Sequence, residues 1–213
     1  MYRTLRARLL AGDLAPGVSL TIRGVAAETG VSMTPAREAV RRLAAERALS
    51  LTASGRILVP TPDAAALGEL FEARALLEPA LAARAVAALD RGGRAALGAR
   101  LRACDDDLGR AVAAGDAPGY VRANTAFHAA LYTAAGAPAL LALVESVWLQ
   151  TAPTMRCVYA VIGTRALEDH HAGALRGLAK GDAATVACAI RADVAQGATL
   201  VAELAEKSAS APG

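Results

Sequence analysis

Residues 21–47, TIRGVAAETGVSMTPAREAVRRLAAER, decide the fold of the N-terminal quarter of this chain. Thr21 or Ile22 opens a short helix whose Val25 and Ala26 face inward, and Gly30 supplies its left-handed stop. Val31-Ser32 makes a tight turn, Ser32 takes the N-cap position, and Pro35 sits in the first turn of a second helix reaching about Arg47. Ala36, Val40 and Leu43 form the inner stripe of that helix. Arg37 and Arg41, one turn apart, project together from a different face. Two short helices joined by a tight turn, with cations on the outer face of the second, make a helix-turn-helix.

Working outward, residues 2–11 read as a helix with Leu5 and Leu9 one turn apart, closed by Gly12, with Pro16-Gly17 soon after. Downstream, Leu49 and Leu51 alternate with Ser50 and Thr52, Ser54-Gly55 turns the chain, and Ile57 and Val59 alternate again. That pattern predicts a two-stranded wing. Pro60-Thr61-Pro62 can neither continue a strand nor begin a helix before Asp63, so it marks a domain boundary. Beyond it, periodicity predicts helices over 64–89, 94–114, 118–134, 138–162, 165–180 and 183–207, divided by Gly92-Gly93, Gly115, Gly136/Pro138, Gly163 and Gly181-Asp182. The fold class expected is mainly α: a winged helix-turn-helix over 1–62, of three helices plus a β-hairpin wing, then a six-helix antiparallel bundle over 63–207. The small, polar tail at 208–213 is expected to be disordered.

Composition agrees with a helical reading. Hydrophobic residues make up 54% and aromatics only 3%, so the core is built from Ala, Leu and Val, which favour packed helices over sheets. No run of about 18 uninterrupted apolar residues occurs, and residues 1–20 lack a signal-peptide pattern, so a cytoplasmic location without a membrane partner is expected. Cys104, Cys157 and Cys188, odd in number and without CxxC spacing, argue against a disulfide framework or a thiolate zinc site and read as buried small hydrophobes. The formal charge of +3 is unevenly placed: residues 1–60 hold nine arginines against four acids, a balance of +5, leaving the remainder at −2. Either only the N-terminal part meets a polyanion, or arginines simply replace lysines in a composition rich in Ala and Gly; charge alone favours neither reading.

Three N-terminal segments occur in order: LLAGDLAPGVSL (9–20), VAAETGVSMTPAREAVRRLAAERAL (25–49) and the wing around SGRILV (54–59). Three more follow in the bundle: ELFEARALLEPALAARA (69–85), NTAFHAALYTAAGAP (124–138) and EDHHAGALRGLAKGDAATVACAIRADV (168–194). On these residues the sequence resembles, nearly end to end, the GntR family of bacterial regulators, in its FadR-like branch with an FCD-type C-terminal domain. The resemblance implies a transcription regulator rather than an enzyme, a repressor of a metabolic operon that binds an inverted repeat of double-stranded operator DNA as a homodimer. The start of the second helix of the motif then enters the major groove. Arg37 is placed for a bidentate contact to guanine, Arg23, Ser32 and Thr34 for phosphates, and Arg41 and Arg56, the latter beside Gly55 in the wing, for backbone charge. Arg42 and Arg47 read equally well as a solvated face. Met33 departs from the family, which usually has a basic residue before this Thr-Pro; methionine can touch a thymine methyl but cannot donate to guanine. Either the operator differs at that base pair or binding is weaker.

The resemblance also implies a metal-containing effector pocket. Metal-binding FCD members use an Asp and a His four apart on one helix and two histidines on the last helices; the corresponding residues here are Asn124, His128, His171 and Asp193. Two of the four differ from the pattern, but a carbonyl oxygen, two imidazoles and a carboxylate still suit a divalent ion, with Zn, Ni and Mn all chemically acceptable. His170 adjoins His171 and becomes the ligand if the register is shifted by one. Arg74 matches the family arginine that contacts carboxylate effectors, so a small carboxylate is the expected ligand; its alternative is an intrahelical pair with Glu78, worth a few tenths of a kcal/mol. Arg156 is a further candidate pocket residue, or a snorkelling surface arginine. Two other functions compete: a metal-dependent enzyme on a helical bundle, suggested by Glu168-x-x-His171, and a non-specific DNA-binding architectural protein.

Overall fold

The computed structural model describes residues 1–52, 55–163 and 167–209, with side chains through Leu204. The N-terminal head contains α1 (Tyr2–Leu10), β1 (Ser19–Leu20), α2 (Ile22–Thr29), α3 (Met33–Ala45), β2 (Ser50–Leu51) and β3 (Ile57–Leu58). Thr21 caps α2 by accepting a hydrogen bond from the Gly24 amide at 3.0 Å, and Gly30 ends it at φ +65°. Ser32 holds the N-cap position of α3, but its hydroxyl makes no capping bond. The helix stops at Ala45, two residues before the expected end, because Arg47 turns into the left-handed region at φ +58°. The wing gains a strand the sequence reading did not contain: the antiparallel sheet has the order β1-β3-β2, with Ser19 and Ser50 both opposite Leu58. Two residues of β1 are too few to show an alternation. Gly55 sits at φ +75° in the expected wing turn, whose Ser54 lies outside the described residues.

The bundle is formed by α4 (Ala64–Ala88), α5 (Arg91–Ala114), α6 (Ala117–Thr133), α7 (Pro138–Ile162), α8 (His170–Lys180) and α9 (Ala183–Ala209). Aspartates set most of its helix starts. Asp63, Asp90, Asp116, Asp169 and Asp182 each accept a hydrogen bond from the amide three residues on, at 2.7–3.0 Å. These caps explain two departures from expectation. Helix α5 runs through Gly92-Gly93, where the sequence predicts a break, because Asp90 caps it upstream. Helix α8 begins at His170 instead of 165, because Asp169 fixes its first turn. Helix α9 continues to Ala209, past the expected start of the tail at Ser208, and residues 210–213 lie outside the described residues.

Packing is chiefly α4 along α9, α5 along α6 and α8 along α9. One core cluster includes Leu81, Phe127, Leu131, Trp148 and Ile190; a second includes Phe71, Tyr120, Met155, Val158 and Val194. The head has its own core of Leu5, Leu9, Val25, Val40, Leu43 and Ile57, completed by Leu149 of α7. Polar contacts also cross from head to bundle: Arg6 bonds Glu145 at 2.7 Å, and Thr125 donates to the Leu10 carbonyl at 3.4 Å. Arg156 belongs to this set. Its Nη1 donates to the Gly12 and Asp13 carbonyls at 3.0 and 3.3 Å, so this candidate pocket residue faces the turn after α1 and not the bundle interior. Gly12 is held at φ +68°, where a Cβ would stand 3.0 Å from the Arg156 Cβ and 3.3 Å from the Ala152 carbonyl oxygen. Cys104 and Cys157 are half-buried and Cys188 is exposed, so the last does not fill the core role expected of it. Among the described residues no helix is long and apolar enough to cross a membrane.

Candidate functional site

His128 on α6, His171 on α8 and Asp193 on α9 converge, each offering a ligand atom within 4.8 Å of the other two. His128 Nε2 lies 3.1 Å from Asp193 Oδ2, while His128 Nε2 and His171 Nε2 are both buried and make no hydrogen bond among the described residues. Two buried imidazole nitrogens without partners, aimed at a carboxylate, are the donor set of a divalent first-row metal. The outer edges of both rings are occupied. His171 Nδ1 stands 3.0 Å from Asp105 Oδ1; a carboxylate only accepts, so Nδ1 carries the proton and Nε2 presents its lone pair. The same ring stacks on Phe127 with centroids 3.8 Å apart and planes within 2°. Burial pushes the Asp193 carboxyl up, but His128, His171 and Arg74 outweigh it and hold it at about 2, so it is ionised at neutral pH. The residues present therefore fit a metal ion.

Beside this triad is a cavity of ≈ 40 Å³ lined by Arg74, Asn124, His128, Thr151, Asp193 and neighbours. Arg74 donates through Nε to Glu78 Oε1 at 2.6 Å, and this intrahelical pair is buried, so the few tenths of a kcal/mol of an ordinary intrahelical pair do not apply to it. Burial works against the guanidinium charge, but Glu78 more than compensates and raises its pKa above the ordinary value. Only Nε is spent on Glu78; the Nη1 and Nη2 ends have no hydrogen-bond partner among the described residues. Glu78 is itself fully buried, and also accepts from Trp148 Nε1 on Oε1 and from the Tyr132 hydroxyl on Oε2, each at 2.8 Å. Tyr132 in turn lies 3.0 Å from His128 Nδ1. Burial and Glu78 lift the Tyr132 phenol well above its usual value, so it keeps its proton.

Of the sequence candidates, the structure brings His128, His171 and Asp193 together and places Arg74 and Asn124 on the same cavity. His170 is turned into a neighbouring cleft of ≈ 210 Å³, 3.8 Å from Glu168, outside the triad. Glu168, the acid of the competing enzyme motif, is 81% exposed and does not reach the converging nitrogens.

In the head, Arg23, Arg37, Arg41 and Arg56 are exposed and without a carboxylate partner among the described residues, as are the side chains of Ser32 and Thr34. Arg8 and Arg42 are engaged instead, with Glu28 at 2.7 Å and with Glu46 at 3.4 Å, and Arg42 also covers the Tyr2 ring. Arg56 reaches Ser19 Oγ at 3.4 Å across the sheet, and Met33 is half-buried at the start of α3.

Comparison with known proteins decides what this pairing of head and pocket is. The family model described as FCD domain matches residues 69–196, and that of the bacterial regulatory proteins, gntR family, matches residues 1–59. The chain belongs to the GntR family, with an FCD domain. It is 31% identical to the HTH-type transcriptional regulator McbR of Escherichia coli (strain K12) over 166 residues, 78% of this chain and 73% of that protein. The structure of E. coli McbR/YncC superposes with a TM-score of 0.86 at 26% identity, covering 95% of each chain. The gluconate operon transcriptional repressor of Bacillus subtilis (strain 168) is 34% identical over 74 residues, 35% of this chain and 30% of that protein. GntR membership with an FCD domain makes the protein a ligand-responsive DNA-binding regulator, not an enzyme.

Within that GntR architecture, sequence reading named Glu78 only as the intrahelical partner of Arg74 and missed Asp105, Tyr132 and Trp148. Tyr132 carried a readable mark, following His128 by one helical turn. Asp105 reaches His171 from α5 across 66 residues, a pairing that no local pattern encodes.

Proposed function

We propose that this protein is a homodimeric repressor of a metabolic operon, which releases or holds an inverted-repeat operator according to a small carboxylate bound beside a divalent metal. The observation that carries the reading is one cavity lined by Arg74, whose Nη atoms have no hydrogen-bond partner among the described residues, and by His128 and Asp193 of the converging triad, with His171 completing the donors. His128, His171 and Asp193 would hold the ion, with the Asn124 carbonyl as a further oxygen donor. Bound there, a divalent ion supplies a Lewis-acid anchor for one oxygen of an acid. Arg74 supplies the fork for the other, a guanidinium edge suited to a planar anion. Free space of ≈ 40 Å³, against about 10–15 Å³ per water on the same measure, admits an acid of few heavy atoms unless the walls move.

The head reads DNA through the start of α3. Arg37 takes guanine, Met33 lies against a base edge, and Arg23, Ser32, Thr34, Arg41, Gly55 and Arg56 hold the phosphate backbone. Signal passes through the cavity wall. Thr125 lines the cavity and bonds the Leu10 carbonyl; Ala152 and Val121 line it and close around Gly12. Seating an acid that displaces these walls shifts α1, and with it the spacing of two heads in a dimer.

Metal analysis and thermal shift test the reading. Protein purified without chelator carries about one divalent ion per chain; His128→Ala and His171→Ala each empty the site, and His170→Ala leaves it filled. At a hundred times its Kd an acid adds about 2.7 kcal/mol of stability by mass action, some 5–10 °C in Tm for a chain of this size. Neutral amides that shift the protein as far as their acids refute the carboxylate.

A further inference from the structure

The metal site needs more than its ligands: an imidazole binds through Nε2 only when its proton sits on Nδ1, and for His128 that choice is written in a chain of hydrogen bonds. Glu78, a carboxylate, can only accept, and both its oxygens are taken. Oε1 receives Arg74 Nε at 2.6 Å and Trp148 Nε1 at 2.8 Å; Oε2 receives the Tyr132 hydroxyl at 2.8 Å. Tyr132 has one proton, and it is committed to Glu78. Its oxygen, 3.0 Å from His128 Nδ1, is left to accept, so Nδ1 donates. Nε2 lies 3.1 Å from Asp193 Oδ2 without hydrogen-bond geometry and has no other partner among the described residues, so in the neutral ring it presents its lone pair.

We propose that Glu78 and Tyr132 are positioning residues of the metal site, a two-residue relay from Arg74 that fixes His128 in the one tautomer able to bind a metal ion. The inference rests on the metal reading above and goes beyond it by assigning two residues that never touch the ion.

A single substitution reverses the relay. In Glu78→Gln the side chain keeps its shape but gains an amide, and its orientation is forced. Arg74 Nε–H and Trp148 Nε1–H are both donors, so the Gln carbonyl must face them and its NH₂ must face Tyr132. Tyr132 then accepts from that NH₂ and turns its own proton toward His128 Nδ1. The imidazole proton moves to Nε2, where the metal would bind. Tyr132→Phe cuts the relay instead of reversing it.

The chain holds three histidines, so ¹⁵N-histidine labelling of metal-free protein, under conditions where the rings are neutral, gives three imidazoles to assign, with His128→Ala identifying one. Wild type shows His128 protonated on Nδ1 and Glu78→Gln shows it on Nε2. In parallel, Zn²⁺, Ni²⁺ and Mn²⁺ affinities are measured against a chromogenic chelator. Glu78→Gln and Tyr132→Phe each weaken binding by about 10–100-fold, and the double variant Glu78→Gln/Tyr132→Phe is no weaker than Tyr132→Phe alone. A merely structural loss adds in the double variant and leaves the tautomer unchanged; either result overturns the proposal. Wild-type His128 protonated on Nε2 overturns it without any variant. Wild type binding none of the three metals more tightly than His128→Ala sinks the metal reading and the proposal together, whereas tight wild-type binding that Glu78→Gln leaves intact sinks the proposal alone.

Discussion

Replacing Arg74 by methionine removes a charge at nearly constant volume and leaves Glu78, fully buried, with the donors Tyr132 and Trp148 but no countercharge. Breaking one side of a buried ion pair costs about 3–5 kcal/mol. Two hydrogen bonds to the carboxylate survive, each worth about 1.5–3 kcal/mol, so the lower end, about 3 kcal/mol, is expected. For a chain of this size that lowers Tm by some 6–12 °C, at about 2–4 °C per kcal/mol. An exposed intrahelical pair is worth a few tenths of a kcal/mol and moves Tm by about 1 °C. The double variant Arg74→Met/Glu78→Gln removes both charges and recovers at least half the loss, because a neutral pair has no buried charge left unpaired. Denaturant titration and thermal melting of the wild type, both single variants and the double variant supply the cycle. A fall below about 2 °C in Arg74→Met, or a double variant as unstable as that single one, refutes the buried-pair argument. The same proteins separate structure from recognition: the acid-induced thermal shift is lost in the double variant although its stability has returned.

In the head, Arg37→Ala weakens binding to the operator by about 1–3 kcal/mol and relaxes specificity at one base pair per half-site; unchanged discrimination between operator and random duplex in a competition assay counts against a base contact. Met33→Arg selects guanine at one additional position when bound sites are recovered from random DNA, and an unaltered motif removes Met33 from the set of readers. Gly12→Ala forces a Cβ into the left-handed region 3.0 Å from the Arg156 Cβ, costing about 1–2 kcal/mol; it frees the turn after α1, so proteolysis there accelerates, and a cleavage rate equal to wild type contradicts a tight seam.

How much of this was legible follows from how local each determinant is. The helix-turn-helix was readable because Thr21, Gly30, Ser32 and Pro35 act on backbone within one turn of themselves, and its inner stripe repeats at the helical period. Aspartates were equally local, yet Asp90 and Asp169 were passed over in favour of glycines as helix boundaries, which misplaced the starts of α5 and α8. Gly92 and Gly93 fall in the first turn of α5, where Asp90 accepts from the Gly93 amide at 2.7 Å, so a cap worth about 1 kcal/mol offsets much of a cost of about 0.5–1 kcal/mol per glycine. In the pocket, resemblance pointed to Arg74, Asn124, His128, His171 and Asp193, but not to Asp105, Tyr132 and Trp148 around them. Arg156 illustrates the limit: sequence places it mid-way along an apolar helix, and only the packing of α1 against α7 turns it toward the Gly12 carbonyl.

The same packing explains why the pocket and the DNA head need no separate transmission element. Helix α7 carries Trp148, Thr151, Ala152 and Met155 on the cavity, Leu149 in the head core, and Glu145 and Arg156 on polar contacts to α1 and the turn after it, all within about three helical turns. A close-packed helix cannot yield on one face and stay fixed on the other. An acid that fits the free space as it stands therefore stabilises the present head position, and one that requires the Ala152–Val121 wall to retreat from Gly12 favours another. On the proposed function, the size of the effector, through this wall, decides the sign of the response. A graded series of carboxylates in an operator-binding assay shows it: the shortest acids tighten or leave DNA affinity unchanged, and affinity falls at the chain length where the wall must move. A uniform effect at every length breaks the link between α7 and the head.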